Sequence, residues 1–187
     1  MRKSIIFSAP SGSGKTTLVK KMMKKGLPLA FSISATSRKP RANEEHGKDY
    51  YFLGLDEFNN RIENNEFVEW EEVYKGVKYG TLKSELERIF NNNEIPVFDV
   101  DVIGGLNLKD QMGEESLAIF VQVSSISVLR DRLEFRATDS NESIEVRLKK
   151  AAYEMSFSPR FDKVIINDNL GSAVEETYQI IIDYLNE

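Results

Sequence analysis

The chain has 187 residues, 41% hydrophobic and 29% charged, with a net charge of −5, which suits one soluble domain with inserted lobes around a sizeable core. The absence of cysteine excludes disulfides, thiolate metal sites and cysteine nucleophiles. No apolar run reaches the length of a membrane span or forms a signal-peptide core, and the negative balance leaves any anionic ligand to local clusters of Lys and Arg.

Residues 3–8, around Ile5, Ile6 and Phe7, predict a short buried strand. The run that follows, residues 8–17, reads Ser-Ala-Pro-Ser-Gly-Ser-Gly-Lys-Thr-Thr and leads into a helix near Lys15. A strand, a glycine loop, a lysine with a hydroxyl behind it and then a helix is the layout of a phosphate-binding P-loop. Gly12 and Gly14 let the backbone curl so that N–H groups point at one phosphate. The helix N-terminus adds unpaired donors and a positive dipole end. On this pattern Ala9, Pro10, Ser11, Gly12, Ser13, Gly14, Lys15, Thr16 and Thr17 form the nucleoside triphosphate site. Lys15 reaches the β and γ phosphates and Thr16 ligates Mg²⁺. The usual first glycine of the motif is Ala9 here, which fits if that position needs small size and not a positive φ.

Leu18, Val19, Met22 and Met23 give the helix a buried stripe, with Gly26 as its stop. Lys20, Lys21, Lys24 and Lys25 are expected on a solvated face. Residues 29–35 predict a second strand. It feeds a stiff basic loop with Arg38 and Arg41 about Pro40, then a turn at Gly47 and a strand-like segment at 50–53. Two arginines and a tyrosine there make a second anion site, and a plain charged surface loop is the alternative account. His46, alone in a polar turn, is assigned no chemistry.

Asp56 is expected to cap a short helix over residues 57–64. Residues 66–73 alternate as a strand, Val68 and Trp70 on one face and Glu69 on the other, with Trp70 as small-lobe core. A turn at Lys75-Gly76 precedes Tyr79-Gly80-Thr81 and a helix over 82–91. Residues 95–101 form an apolar strand ending in Asp99 and Asp101, which share a side. Ligands collect at the carboxyl ends of parallel strands, so Asp99 is a candidate for the Mg²⁺ shell and Asp101 for a substrate contact. Residues 117–123 are a further core strand. Arg130, Arg132 and Arg136 then lie on a helix and Arg147 on a second one. Such arginines could close over a transferring phosphoryl group, or could form salt bridges with Glu134 and Glu145. A last strand at 161–167 and a helix over 172–185 complete the chain.

These residues resemble the guanylate kinase family. The signature is Thr36-Ser37-Arg38 followed by Arg41, Glu44, Gly47, Tyr50 and Phe52, at the expected distance behind a P-loop. Similarity continues through residues 65–70, Tyr79-Gly80-Thr81, Asp99-Val100-Asp101 and Gly104 to Arg132, Arg136, Arg147-Leu148 and Asn167-Asp168, covering essentially the whole chain. The resemblance implies an α/β P-loop three-layer fold: a central parallel sheet with an inserted monophosphate-binding lobe and a helical lid. The core would span 1–31, 83–123 and 156–187, the GMP lobe 32–82 and the lid 124–155. Ser34, Glu69, Thr81 and Asp101 match the family's guanine contacts, and Arg38, Arg41, Tyr50 and Tyr79 its contacts to the GMP phosphate. Arg132, Arg136 and Arg147 match lid arginines that reach the ATP phosphates and serve catalysis with Lys15. Asn167 lies where the family approaches adenine. Ala9 and an extra residue near Lys75-Gly76-Val77-Lys78 are departures from the pattern.

The expectation is therefore a cytoplasmic, Mg²⁺-dependent kinase moving a phosphoryl group from ATP to GMP, and also to dGMP, in purine metabolism. It would bind no nucleic acid and no membrane and be a monomer or homodimer. The guanine assignment has its own chemistry. Guanine offers N1–H and N2–H₂ donors that a carboxylate such as Glu69 accepts, where adenine would present a lone pair. The rivals are a P-loop kinase for another small phosphorylated substrate and a non-catalytic protein-binding module of the same family.

Overall fold

The computed structural model describes residues 2–135 and 141–187. Its centre is a five-stranded sheet in the order β2 (Leu29–Phe31), β7 (Ile95–Asp99), β1 (Ser4–Ser8), β8 (Ser116–Gln122), β9 (Lys163–Ile166). Every pairing is parallel. Parallel strands need crossovers, and helices on both faces bury both sides of the sheet. Side-chain alternation along β1 divides the core accordingly. Ile5 and Phe7 pack with Leu18 and Met22 of α1 (Lys15–Met22) and Ile181 of α7 (Leu170–Asn186). Ile6 faces the other way, onto Phe98, Phe120, Phe161 and Leu106 of α4 (Val102–Met112). The α1 stripe, including the Met22–Met23 pair, is core as its spacing predicts.

A second, four-stranded sheet runs β4 (Tyr51–Phe52), β3 (Ala35–Thr36), β6 (Val77–Leu82), β5 (Phe67–Tyr74). The single strand expected over 29–35 is two strands in two sheets. Ser32 N still donates to Val97 O of the parallel sheet, at 2.9 Å. Ile33 N then donates to Glu85 Oε1 of α3 (Lys83–Asn91) at 2.8 Å, and the chain crosses over. The helix α2 (Leu55–Glu63) starts after Gly54, whose φ of +74° replaces the expected Asp56 cap. Asp56 instead lies in the first turn, where a carboxylate favours the helix dipole. Asn65 and Asn93, with φ of 55° and 57°, follow α2 and α3 in the left-handed conformation that asparagine tolerates.

The lobe core is Ala35, Phe58, Phe67 and Leu82, with Phe58 and Phe67 stacked at 4.4 Å. Trp70 is not part of it, contrary to the sequence expectation: 41% of it is exposed, and Lys78 Nζ sits 4.9 Å above its ring. Nor do Val68 and Trp70 share surroundings: Val68 packs on the main core with Val102 and Leu106 of α4, whereas Trp70 lies beside Phe67 against Gly80. A register shift between Phe67 and Glu69 breaks the strict alternation, so Phe67 reaches the core.

A helical hairpin, α5 (Ile126–Phe135) and α6 (Asn141–Met155), has its own core of Leu129, Leu133, Ile144, Leu148 and Ala151. Among the described residues no helix is long and apolar enough to cross a membrane. Gly80 is the tightest point of the small sheet. A Cβ there would lie 2.6 Å from Glu69 O and 2.8 Å from Trp70 Cβ. Gly80→Ala should therefore force β5 and β6 apart and cost about 1–3 kcal/mol in urea unfolding. An unchanged midpoint would show that the two strands have room to give.

Candidate active site

The P-loop lies at the carboxyl end of β1, and the register Phe7↔Asp99 sets the end of β7 beside it. Lys15 Nζ contacts Asp99 Oδ1 at 2.7 Å and donates to Val100 O. Thr16 Oγ1 donates to Asp99 Oδ2 at 3.0 Å. The predicted pair of metal-shell oxygens is thus brought together. Two hard oxygen donors beside a phosphate loop fit Mg²⁺, which takes one or two protein ligands and completes its shell with phosphates and water.

Both loop glycines have positive φ, +95° at Gly12 and +87° at Gly14, and both are crowded. A Cβ on Gly12 would meet Leu129 Cδ1 of the hairpin at 2.8 Å, and one on Gly14 would meet Asn167 Nδ2 at 2.5 Å. Ala9 is 7% exposed and is not among the residues with positive φ, so small size is what its position requires.

Arg147 Nη2 donates to Ser11 Oγ at 2.8 Å. Arg132 Nη2 donates to Asn167 O at 2.6 Å and Asp168 O at 3.1 Å, with Nη1 3.4 Å from Ser13 O. Two of the three predicted lid arginines therefore border the P-loop, while Arg136 lies outside the described residues. Arg130 follows the salt-bridge account, paired with Glu145 at 2.5 Å. Asn167 is 3% exposed and donates to Ser13 O at 2.7 Å. Its Oδ1 is buried with no hydrogen-bond partner among the described residues. Asn167 and Arg132 line a cavity of about 570 Å³ together with Thr17 and Phe135.

On the small sheet, Glu69 pairs across the strands with Thr81, which donates to its Oε1 at 3.0 Å. Burial pushes the Glu69 carboxyl up to about 7, opposed by the Thr81 hydrogen bond. Asp101 does not continue β7. It caps α4, accepting from Gly104 N at 2.9 Å, a helix the sequence reading passed over. Asp101 still shares a cavity of about 340 Å³ with Ser34, Arg41, Tyr50, Glu69 and Tyr79. A larger cavity of about 1000 Å³ runs along the P-loop, and Tyr50, Asp99, Val100 and Asp101 line both.

Arg38 is held in advance. It makes a bidentate pair with Glu44 at 2.6 and 2.8 Å, donates to Tyr79 Oη at 3.0 Å and lies 5.0 Å above the Tyr50 ring. The Arg38 guanidinium and the Arg41 N–H hold the Glu44 carboxyl down at about 2. Glu44 is an orienting residue to which the sequence reading gave no role, though its place three residues after Arg41 lets it accept from Arg41 N, at 2.8 Å. His46 is exposed, and its Nδ1 accepts from Phe52 N at 3.2 Å, a local structural contact.

The sequence model of the family described as guanylate kinase matches residues 1–184. A guanylate kinase of Bacteroides thetaiotaomicron is 55% identical over 185 residues, covering 99% of this chain and 91% of that protein. One from Porphyromonas gingivalis is 48% identical over 186 residues, 99% of both chains. The crystal structure of guanylate kinase from Anaplasma phagocytophilum superposes with a TM-score of 0.75 at 28% identity, over 97% of this chain and 85% of that one. A match of this extent, in sequence and in fold, makes the chain a member of the guanylate kinase family.

Proposed function

We propose that the chain is a nucleoside monophosphate kinase that transfers a phosphoryl group from ATP, with Mg²⁺, to GMP and dGMP. The observation that carries this is one continuous cleft. A P-loop with its lysine and strand-end aspartate lies at one end and a carboxylate–threonine pocket at the other. A protein-binding module would not need Lys15, Thr16 and Asp99 so arranged, and a kinase for a sugar would not need Glu69 and Thr81.

In this reading a GMP phosphate oxygen attacks the γ phosphorus of ATP, and the β–γ bridging oxygen leaves with ADP. No covalent intermediate on the protein is needed; the work is positioning and charge neutralisation. The P-loop backbone holds the phosphates, and Lys15 exchanges Asp99 for them. Arg132, Arg136 and Arg147 neutralise charge on the transferring group. Asn167, with its unpaired Oδ1, lies towards the adenine end. Mg²⁺, bound through Thr16 and Asp99, would neutralise and orient the β and γ oxygens. Arg38, Arg41, Tyr50 and Tyr79 take the GMP phosphate, and Ser34, Glu69, Thr81 and Asp101 the guanine. Residues 32–82 and 124–155 act as the monophosphate lobe and lid, closing on the remaining core to exclude water. The nucleotide substrates place this activity in the cytoplasm.

The deciding experiment is ADP release from ATP and Mg²⁺ with each of GMP, AMP, CMP and UMP. GMP alone should give rapid turnover, and turnover with another monophosphate would overturn the guanine assignment. Lys15→Ala should lower kcat by roughly 10²–10³-fold, the usual cost of one preorganised charge-stabilising donor. Near-normal rates would remove Lys15 from the phosphate site.

Glu69 adds a pH signature. The carboxylate must be ionised to accept the guanine donors, so apparent GMP affinity should rise as pH increases through about 7. The sign for stability is opposite. Its pKa is raised above the ordinary carboxyl value of 4.5, so the proton that Glu69 retains stabilises the fold below about 4.5, and this contribution is lost as pH rises through 7. Glu69→Gln should lower kcat/KM for GMP by roughly 10- to 100-fold and flatten the pH dependence of KM between pH 6 and 8. A variant that keeps the slope would show that another group titrates.

A further inference from the structure

Two charged residues of the guanine cavity have no role in the assignments above. Glu71 lies two positions beyond Glu69 on β5, hence on the same face, and its cross-strand partner is Tyr79 as that of Glu69 is Thr81. Its carboxyl lies beside that of Asp101 in the same cavity. Burial, that contact and the charge of Glu69 all raise the Glu71 pKa, while Lys150 opposes them. Asp101, Glu69 and Lys150 are thus the charged groups that act on Glu71.

Lys150 comes from the other side of the cavity. It lies on α6 three residues after Arg147, about one turn further along. Arg147 is already seated on the P-loop through Ser11. Lys150 lines both cavities and is the one described residue of the hairpin that borders the guanine pocket. Its present partner is Glu154, one turn on at 3.5 Å, and the Lys150 side chain is 57% exposed. A pair so long and so solvated is cheap to exchange.

We propose that Lys150 is a positioning residue that pairs with Glu71 across the guanine cavity when the hairpin closes, so that closure and occupancy of the monophosphate site favour each other. The proposal rests on the GMP kinase reading. The cavity gathers the carboxyls of Glu69, Glu71 and Asp101 around a space that the Lys150 ammonium also borders. An ammonium that moves in among them offsets their mutual repulsion. Glu71 then holds Lys150, leaving Glu69 and Asp101 to accept from guanine.

The test is steady-state kinetics for GMP and ATP with Glu71→Gln, Lys150→Gln, the double variant and Lys150→Arg. Each Gln variant should raise KM for GMP roughly five- to tenfold, with a smaller change in KM for ATP, and the double variant should be no worse than the worse single. Lys150→Arg should restore most of the loss. Additive effects in the double variant, equal rises for both nucleotides, or an unchanged KM for GMP would overturn the contact while leaving the kinase reading intact. If Glu71→Gln folds poorly, the exposed Lys150→Gln decides alone, since its KM for GMP must rise. Failure of the unaltered protein to turn over GMP would overturn the underlying reading, and the contact with it.

Discussion

The parallel pairing of β1 with β7 is the constraint on which the site depends. It brings Phe7 level with Asp99, so that the loop leaving β1 and the carboxylate ending β7 meet at one edge of the sheet. Lys15, one turn into the cleft, finds Asp99 at 2.7 Å. An ammonium and a carboxylate that are both largely withdrawn from water stabilise each other, and each holds the other in place. The Thr16 hydroxyl completes the cluster at 3.0 Å. A phosphate chain entering here would therefore meet a cation, a pair of metal-binding oxygens and unpaired backbone donors already in position. Such preorganisation lowers a barrier without costing reorganisation during the reaction.

The proposed guanine end uses a different principle, the expense of burying a carboxyl group. Glu69 is 8% exposed and has a hydroxyl as its close partner, where an ion pair would have kept it charged. It therefore sits near the midpoint of its titration at neutral pH, and a ligand with two converging donors tips it to the ionised form. A ligand with an acceptor at that position gains nothing from either state. Arg38 shows the contrasting solution. Its charge is fully matched by Glu44 and supported by Tyr79 and Tyr50, which fixes the guanidinium while leaving the arginine permanently charged.

What could be read from the sequence was local. The P-loop is ten consecutive residues whose roles follow from glycine, lysine and hydroxyl at fixed spacing, and the structure assembles them as that spacing demands. The strands of the parallel sheet announced themselves as apolar runs. Residues 29–35 misled because one apolar stretch serves two sheets, and the bend at Ser32–Ile33 is decided by Val97 and Glu85, far away in sequence. Helix α4 was hidden by Gly104 and Gly105, poor helix formers placed where the chain packs closely: a Cβ on Gly105 would lie 3.2 Å from Ser8 Cβ. Trp70 looked like core because it is large and apolar. Its actual surroundings, solvent and the Lys78 ammonium, depend on the pairing of β5 with β6.

The hairpin arginines illustrate the same limit from the functional side. Their helical spacing suggested a shared face but could not say what that face meets. The structure answers through Gly12, whose missing side chain is what admits Leu129 and Leu133 onto the P-loop. Glycine at that position thus serves two ends: it gives the loop its positive φ, and it gives the hairpin a seat from which Arg132 and Arg147 border the P-loop. Because the seat is apolar and non-directional while the arginine contacts are hydrogen bonds to carbonyl and hydroxyl oxygens, the two can be exchanged separately. The hairpin can stay docked through Leu129 while its guanidinium groups trade protein oxygens for phosphate oxygens, which are stronger acceptors for a cation. The arginines are thereby kept solvated by the protein itself until an anion arrives.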